Sequence, residues 1–104
     1  MNTHSPKTIL VTGASRGIGY LTAKTLATGG HHVYAAMRDS DGRNADAAEA
    51  LREFARQSEL SLSIVDLDVT SYEDCLRAIA GIETQRPLDV LVNNAGVMPV
   101  GVTE

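Results

Sequence analysis

The sequence predicts an α/β fold, a doubly wound parallel sheet covered by helices on both faces, on three observations. Short apolar runs alternate strictly with longer amphipathic stretches, and the runs are continuously apolar, as in strands buried on both sides. A glycine-rich segment also stands where the first run gives way to the first helix. Thr8 to Val11 is that first run. Ile18, Leu21, Thr25 and Leu26 then recur at helical spacing and predict a helix with that face inward, stopped by Gly29-Gly30. Val33 to Met37 is the second run, followed by the polar loop Asp39–Asn44. From Asp46 to Ser58 the pattern is helical, with Ala47, Ala50, Leu51 and Phe54 on one face. Leu62, Ile64 and Val65 form the third run. Thr70-Ser71 offers an N-cap with Glu73 and Asp74 at capping-box distance, ahead of Leu76, Ile79 and Ala80 at helical spacing. Pro87 closes that helix, and Val90 to Val92 is the fourth strand.

Right-handed crossovers between such strands give the βαβαβ arrangement of a Rossmann-type sheet. With the fourth strand so near Glu104 the sheet reads as unfinished, and the 104 residues are expected to be the front part of a larger domain. The net charge of −4 argues against a nucleic-acid or anionic-membrane partner, which would call for a basic face. A single cysteine, Cys75, excludes an internal disulfide, fits a reducing compartment and is expected to be buried packing. The opening MNTHSPK has no apolar core, so neither a signal peptide nor an anchor is expected there. No apolar run is long enough to span a bilayer, and a cytoplasmic location is expected.

The glycines carry the first functional signal. A glycine turn between a strand and a helix lets backbone N–H groups and the helix dipole meet a pyrophosphate. Gly13 would permit the tight turn, Gly17 the close approach of a dinucleotide, and Gly19 tight packing of helix on strand. Thr12 and Ser15 would add hydroxyl donors. The spacing is G-x3-G-x-G, and no Gly-Lys-Ser/Thr follows, which excludes a P-loop.

TGASRGIG (Thr12–Gly19) together with NNAG (Asn93–Gly96) resembles the short-chain dehydrogenase/reductase family, and Asp68-Val69 matches that family's acidic-aliphatic pair after the third strand. The resemblance runs from the first strand to the end of the chain. It implies that residues 1–104 form a single NAD(P)-binding Rossmann portion with the cofactor across the carboxyl ends of the strands. It further implies that Asp68 contacts the adenine with help from the Val69 backbone, that Asn94 and Gly96 lie under the adenosine ribose, and that Ile18 lies near the pyrophosphate.

Charge argues the choice of cofactor. Where an NAD enzyme of this fold carries an acid at the tip of strand two, the family's spacing places Met37, followed by Arg38. A guanidinium grips a 2′-phosphate bidentately, and Arg16 can reach the same phosphate from the glycine turn. Hydrogen bonds to charged groups are worth roughly 1.5–3 kcal/mol each, enough to favour NADP over NAD by tenfold or more. Asp39 and Asp41 cut the other way, since either could accept from a free 2′-hydroxyl.

Tyr20 and Lys24 have the spacing of the family's Tyr-x-x-x-Lys acid/base pair, and i,i+4 puts them on one helix face. They sit on the first helix, whereas the family's pair follows a fifth strand, so they are expected to be an ordinary helical pair. No catalytic residue is assigned within these residues. His31 and His32 are expected in a solvated turn without metal, and Met98 as either a cleft or a plain loop residue. The resemblance implies an NADP-dependent oxidoreductase acting on a small carbonyl or alcohol substrate, homo-oligomeric at full length. A non-catalytic NADP(H)-binding or interaction module stands as the second class, and a methyltransferase on the same architecture as a third.

Overall fold

A computed structural model describes residues 5–94. Four strands, β1 (Thr8–Val11), β2 (His32–Met37), β3 (Leu62–Asp66) and β4 (Val90–Val92), alternate with three helices, α1 (Gly17–Thr28), α2 (Ala45–Ser58) and α3 (Tyr72–Glu83). The strands form one parallel sheet in the order β3-β2-β1-β4. Val11 pairs with Ala35 and Val92, and Met37 with Asp66, so the strands end close together at their carboxyl side. The chain winds outward from β1 to β3 and then crosses back to β4 on the other side of β1. That reversal is the switch point of a doubly wound Rossmann-type sheet, and ligand sites in such sheets lie outside the carboxyl ends around it.

The two central strands, β1 and β2, are almost continuously apolar because they are buried on both faces, whereas β3 at the edge carries Ser63 and Asp66. Ile9, Val11, Val33, Ala35 and Met37 pack under α1 and α2, while Leu10, Tyr34, Ala36 and Leu91 pack under α3. Consecutive residues of β1 and β2 therefore serve opposite cores, and neither strand leaves a face to water.

Each helix is rotated by about one residue from the face its large apolar side chains suggest. In α1 the buried residues are Gly19, Ala23 and Ala27, whereas Ile18 is 73% and Leu21 62% exposed, Thr25 is exposed and Leu26 half-buried. In α2 they are Ala48, Leu51 and Ala55, with Ala47 and Phe54 half-buried and Ala50 exposed. In α3 they are Cys75, Ala78 and Ile82, with Ile79 half-buried and both Leu76 and Ala80 exposed. The physical reason is closeness. In α1 the stripe of Gly19, Ala23 and Ala27 at i, i+4 and i+8 lets the helix axis approach the flat strand surface, and α2 and α3 place Ala48, Ala55 and Ala78 against it in the same way beside the larger Leu51 and Ile82. Dense packing along the whole helix then outweighs burial of a few larger side chains.

Candidate functional site

The site is built from the three turns that leave β1, β2 and β3. After Val11 the chain passes through Thr12, whose backbone N–H donates to the Val92 carbonyl at 3.0 Å. The Thr12 hydroxyl is fully buried, accepts from the Asn94 N–H at 2.9 Å and lies 3.1 Å from Asn93 Oδ1. It fastens the glycine turn to the end of β4, so the expectation that it faces a phosphate is corrected. Gly13 and Gly17 have φ of +64° and +62°, the left-handed region that glycine enters without penalty. Between them Ala14, fully buried, donates its N–H to the Ala36 carbonyl at 3.0 Å and pins the turn to β2.

Gly19 shows why α1 can start so close to this turn. A Cβ there would stand 2.1 Å from the Gly13 carbonyl oxygen and 2.7 Å from Asn94 Nδ2. Nothing lies within 4 Å of the corresponding place at Gly17, which leaves backbone open to an approaching group. Arg16 is the N-cap of α1, in extended conformation, with no capping side-chain bond and no acid in the first turn.

Facing this turn is a cleft of about 600 Å³ at the carboxyl ends of β1, β2 and β3. It is lined by Gly13, Ser15 and Arg16 from the first turn, Met37 and Arg38 from the second, and Leu67 and Val69 from the third. Arg43 and Asn44, at the entry to α2, complete its wall. The lining carries three guanidinium groups and no carboxylate.

A second cleft of about 460 Å³ adjoins the first and shares Arg38 and Leu67 with it. Asp39, Asp66, Asp68, Asp74 and Arg77 line it. Asp68 Oδ1 accepts from the Thr70 hydroxyl at 2.6 Å and the Thr70 N–H at 3.0 Å. Those bonds, with the Arg38 guanidinium nearby, hold its carboxyl below the usual carboxylate range. Asp74 is lowered as well, chiefly by Arg77, whose Nε donates to Oδ1 at 2.7 Å, and by the Asp68 N–H donating to Oδ2 at 2.7 Å. Burial pushes the Cys75 thiol up, and the charges of Asp74 and Asp68 add to that, so it stays protonated and packed in the core.

Of the residues singled out from sequence, Gly13, Ser15, Arg16, Arg38 and Val69 meet at the first cleft. Asp68 lies in the adjoining one, and Gly17, Ile18 and Gly19 form the first turn of α1, with Ile18 turned to solvent. Asn94, exposed, lies beside the glycine turn, its Nδ2 3.5 Å from the Gly13 carbonyl. Gly96 and Met98 lie outside the described residues. Asp39 and Asp41, weighed as partners for a free hydroxyl, are not on the lining of the arginine cleft. Sequence reasoning missed Arg43. Its one signal is an arginine immediately before the asparagine that opens α2.

Tyr20 and Lys24 have a packing role. The Lys24 ammonium stands 5.3 Å from the centre of the Tyr20 ring and 4.6 Å from that of Phe54, clamping α1 to α2 by cation–π contacts. Among the described residues, no cluster of three or more His, Cys, Asp or Glu could hold a metal ion, and no helix is long and apolar enough to cross a membrane.

A 3-2-1-4 parallel sheet with a glycine turn at its switch point defines a Rossmann-type protein. The short chain dehydrogenase family model matches residues 7–104, and the chain belongs to that family. It is 40% identical over 89 residues to acetoacetyl-CoA reductase of Shinella zoogloeoides, covering 85% of this chain and 33% of that protein. Menthone neomenthol reductase of Mentha piperita superposes with a TM-score of 0.77 at 34% identity, covering 90% of this chain and 33% of that one. A gluconate 5-dehydrogenase of Burkholderia cenocepacia, solved in complex with NADP and tartrate, superposes with a TM-score of 0.72 at 32% identity, covering 88% of this chain and 34% of that one. The chain thus spans about a third of the length of these relatives.

Proposed function

We propose that the chain binds NADP(H) in the arginine cleft and is the cofactor-binding portion of an oxidoreductase that exchanges hydride between NADP(H) and a small carbonyl or alcohol substrate. The observation that carries this is Arg16 and Arg38 flanking one cleft beside a glycine turn, with no carboxylate on its lining. NAD specificity in this fold rests on an acid at the tip of β2, where this chain has Met37 and then Arg38.

The residues fit a phosphorylated dinucleotide. Gly17 leaves room beside the first turn of α1, whose N–H groups have no capping side chain and so favour pyrophosphate oxygens. Arg16 and Arg38 hold the 2′-phosphate by charge-assisted hydrogen bonds. Asp68 and Val69 take the adenine, Asn94 and Gly96 the ribose, and Ile18 the approach to the pyrophosphate, as the family resemblance implies. When bound, the cofactor supplies the hydride; these residues bind and orient it.

Titrating the protein with NADPH and with NADH, followed by nicotinamide fluorescence, tests this. NADPH is expected to bind at least about tenfold tighter, given roughly 1.5–3 kcal/mol per charge-assisted bond. Equal affinity, or tighter NADH, would overturn the cofactor assignment. NADPH binding without turnover of any carbonyl substrate by the full-length protein would leave a nucleotide-binding module in place of an enzyme.

A further inference from the structure

The loop between β2 and α2 is folded in a way that the resemblance does not explain. Asp39 adopts φ of +52°, and its carbonyl accepts from the Gly42 N–H at 3.0 Å and the Asn44 N–H at 2.9 Å. Ser40 is buried, and its N–H donates to Asp66 Oδ1 at 2.9 Å, tying the loop to the end of β3. Asn44 stands at the N-cap of α2 yet makes no capping bond; its Nδ2 donates instead to the Arg38 carbonyl. The helix entry thus forgoes a cap, and the side chain closes the loop upon itself. The result is that Arg38 and Arg43, five residues apart in sequence, line the same cleft as Arg16.

None of these three arginines is in an ion pair among the described residues, where the only pairs are Arg56–Glu53 and Arg77–Asp74. Three guanidinium groups on one cleft whose lining holds no carboxylate favour an anion there, even with Asp68 of the adjoining cleft near Arg38. A phosphate monoester dianion matches them, with three terminal oxygens and a charge near −2.

We infer that Arg43 is a third specificity-determining residue for the 2′-phosphate, acting with Arg16 and Arg38, and that Asn44 is a positioning residue that holds the loop so that Arg38 and Arg43 face one anion. The inference rests on the NADP(H) assignment above and adds to it the part of the loop that sets the strength of the preference.

The test is the affinity ratio of NADPH to NADH in wild type, Arg43→Ala, Arg43→Lys and Asn44→Ala. Arg43→Ala is expected to weaken NADPH binding about tenfold and leave NADH unchanged. Arg43→Lys is expected to recover part of the loss, because it restores charge without the bidentate fork. Asn44→Ala is expected to lower the ratio by severalfold, which a purely structural role would not do, since that would weaken both nucleotides alike. A wild type without preference for NADPH defeats the NADP(H) assignment itself. A wild type that prefers NADPH, with an unchanged ratio in Arg43→Ala, leaves that assignment standing and overturns the role of Arg43. If Asn44→Ala weakens both nucleotides equally, its positioning role is overturned.

Discussion

Helix α3 starts on Ser71, whose Oγ accepts from the Asp74 N–H at 3.1 Å, and it carries Glu73 and Asp74 in its first turn. Helix α1, of the same length, starts on Arg16, with no side-chain cap and no acid in its first turn. A helix N-terminus presents unpaired N–H groups and about half a positive charge. In α3 the chain neutralises both internally, and Asp74 reaches further to hold the Asp68 N–H. In α1 it adds a guanidinium to a terminus that already repels cations. The missing cap and the unfavourable charge each cost on the order of 0.5–1 kcal/mol. A local rule broken at one helix and obeyed at the other marks where structure ends and function begins.

The largest expected effect separates the two helices by their glycines. In Gly19→Ala the new Cβ meets the Gly13 carbonyl oxygen at 2.1 Å, and that backbone is held by the turn and by β4, so it cannot yield cheaply. A loss of about 3 kcal/mol is expected, lowering Tm by on the order of 15 °C. Gly81→Ala in α3 meets nothing within 4 Å and should stabilise by about 0.5–1 kcal/mol through the unfolded chain. Thermal unfolding of the two variants reads both signs. A Gly19→Ala protein that melts with the wild type would mean that α1 is not seated against the turn.

The same contrast shows what was legible in the sequence. Gly13 and Gly17 announced the turn because positive φ at a crowded strand end has glycine as its cheap solution. Ser71 and Asp74 announced the start of α3 because a cap is local chemistry, visible within four residues. The helix faces were misjudged where size mattered more than hydrophobicity, as at Ala23 and Ala27 against Ile18 and Leu21. Thr12 was misjudged because its partners, Asn93 and Asn94, arrive from the far end of the chain once β4 docks on β1. Arg43 escaped notice for a related reason. Its place at the cleft depends on a left-handed turn at Asp39, a residue that enters that region far less often than glycine.

Exchanging the two kinds of helix start gives the next effect. Arg16 has the extended backbone of a capping residue, so Arg16→Asp would supply α1 with a cap and a favourable charge, worth about 1 kcal/mol of added stability. On the proposed NADP(H) reading the same change removes a phosphate ligand and sets a carboxylate beside the glycine turn, so NADPH affinity should fall by about a hundredfold or more. Ser71→Ala is the opposite case, expected to cost about 1 kcal/mol and to leave NADPH binding unchanged. Urea unfolding and nucleotide titration on both variants check the pair. Arg16→Asp binding NADPH as the wild type does would return α1 to the ordinary class of helices.

The smallest effect concerns Asp74, the acid in the first turn of α3. The Asp74 carboxyl is held below the usual range, first by Arg77 and then by the Asp68 N–H. A group depressed in the folded state gives stability that is complete above its unfolded value and is lost as pH falls through the folded one. Its contribution is therefore intact at neutral pH and declines from about pH 4 downward. Asp74→Asn should then melt slightly below the wild type at pH 7, with the gap narrowing as the pH falls below about 4. Because α1 carries no acid in its first turn, no such acid-sensitive contribution arises at that start. A gap that stayed constant across the titration would mean that Asp74 supports α3 by the shape of its hydrogen bonds alone, and the electrostatic half of the contrast between the two helices would fall.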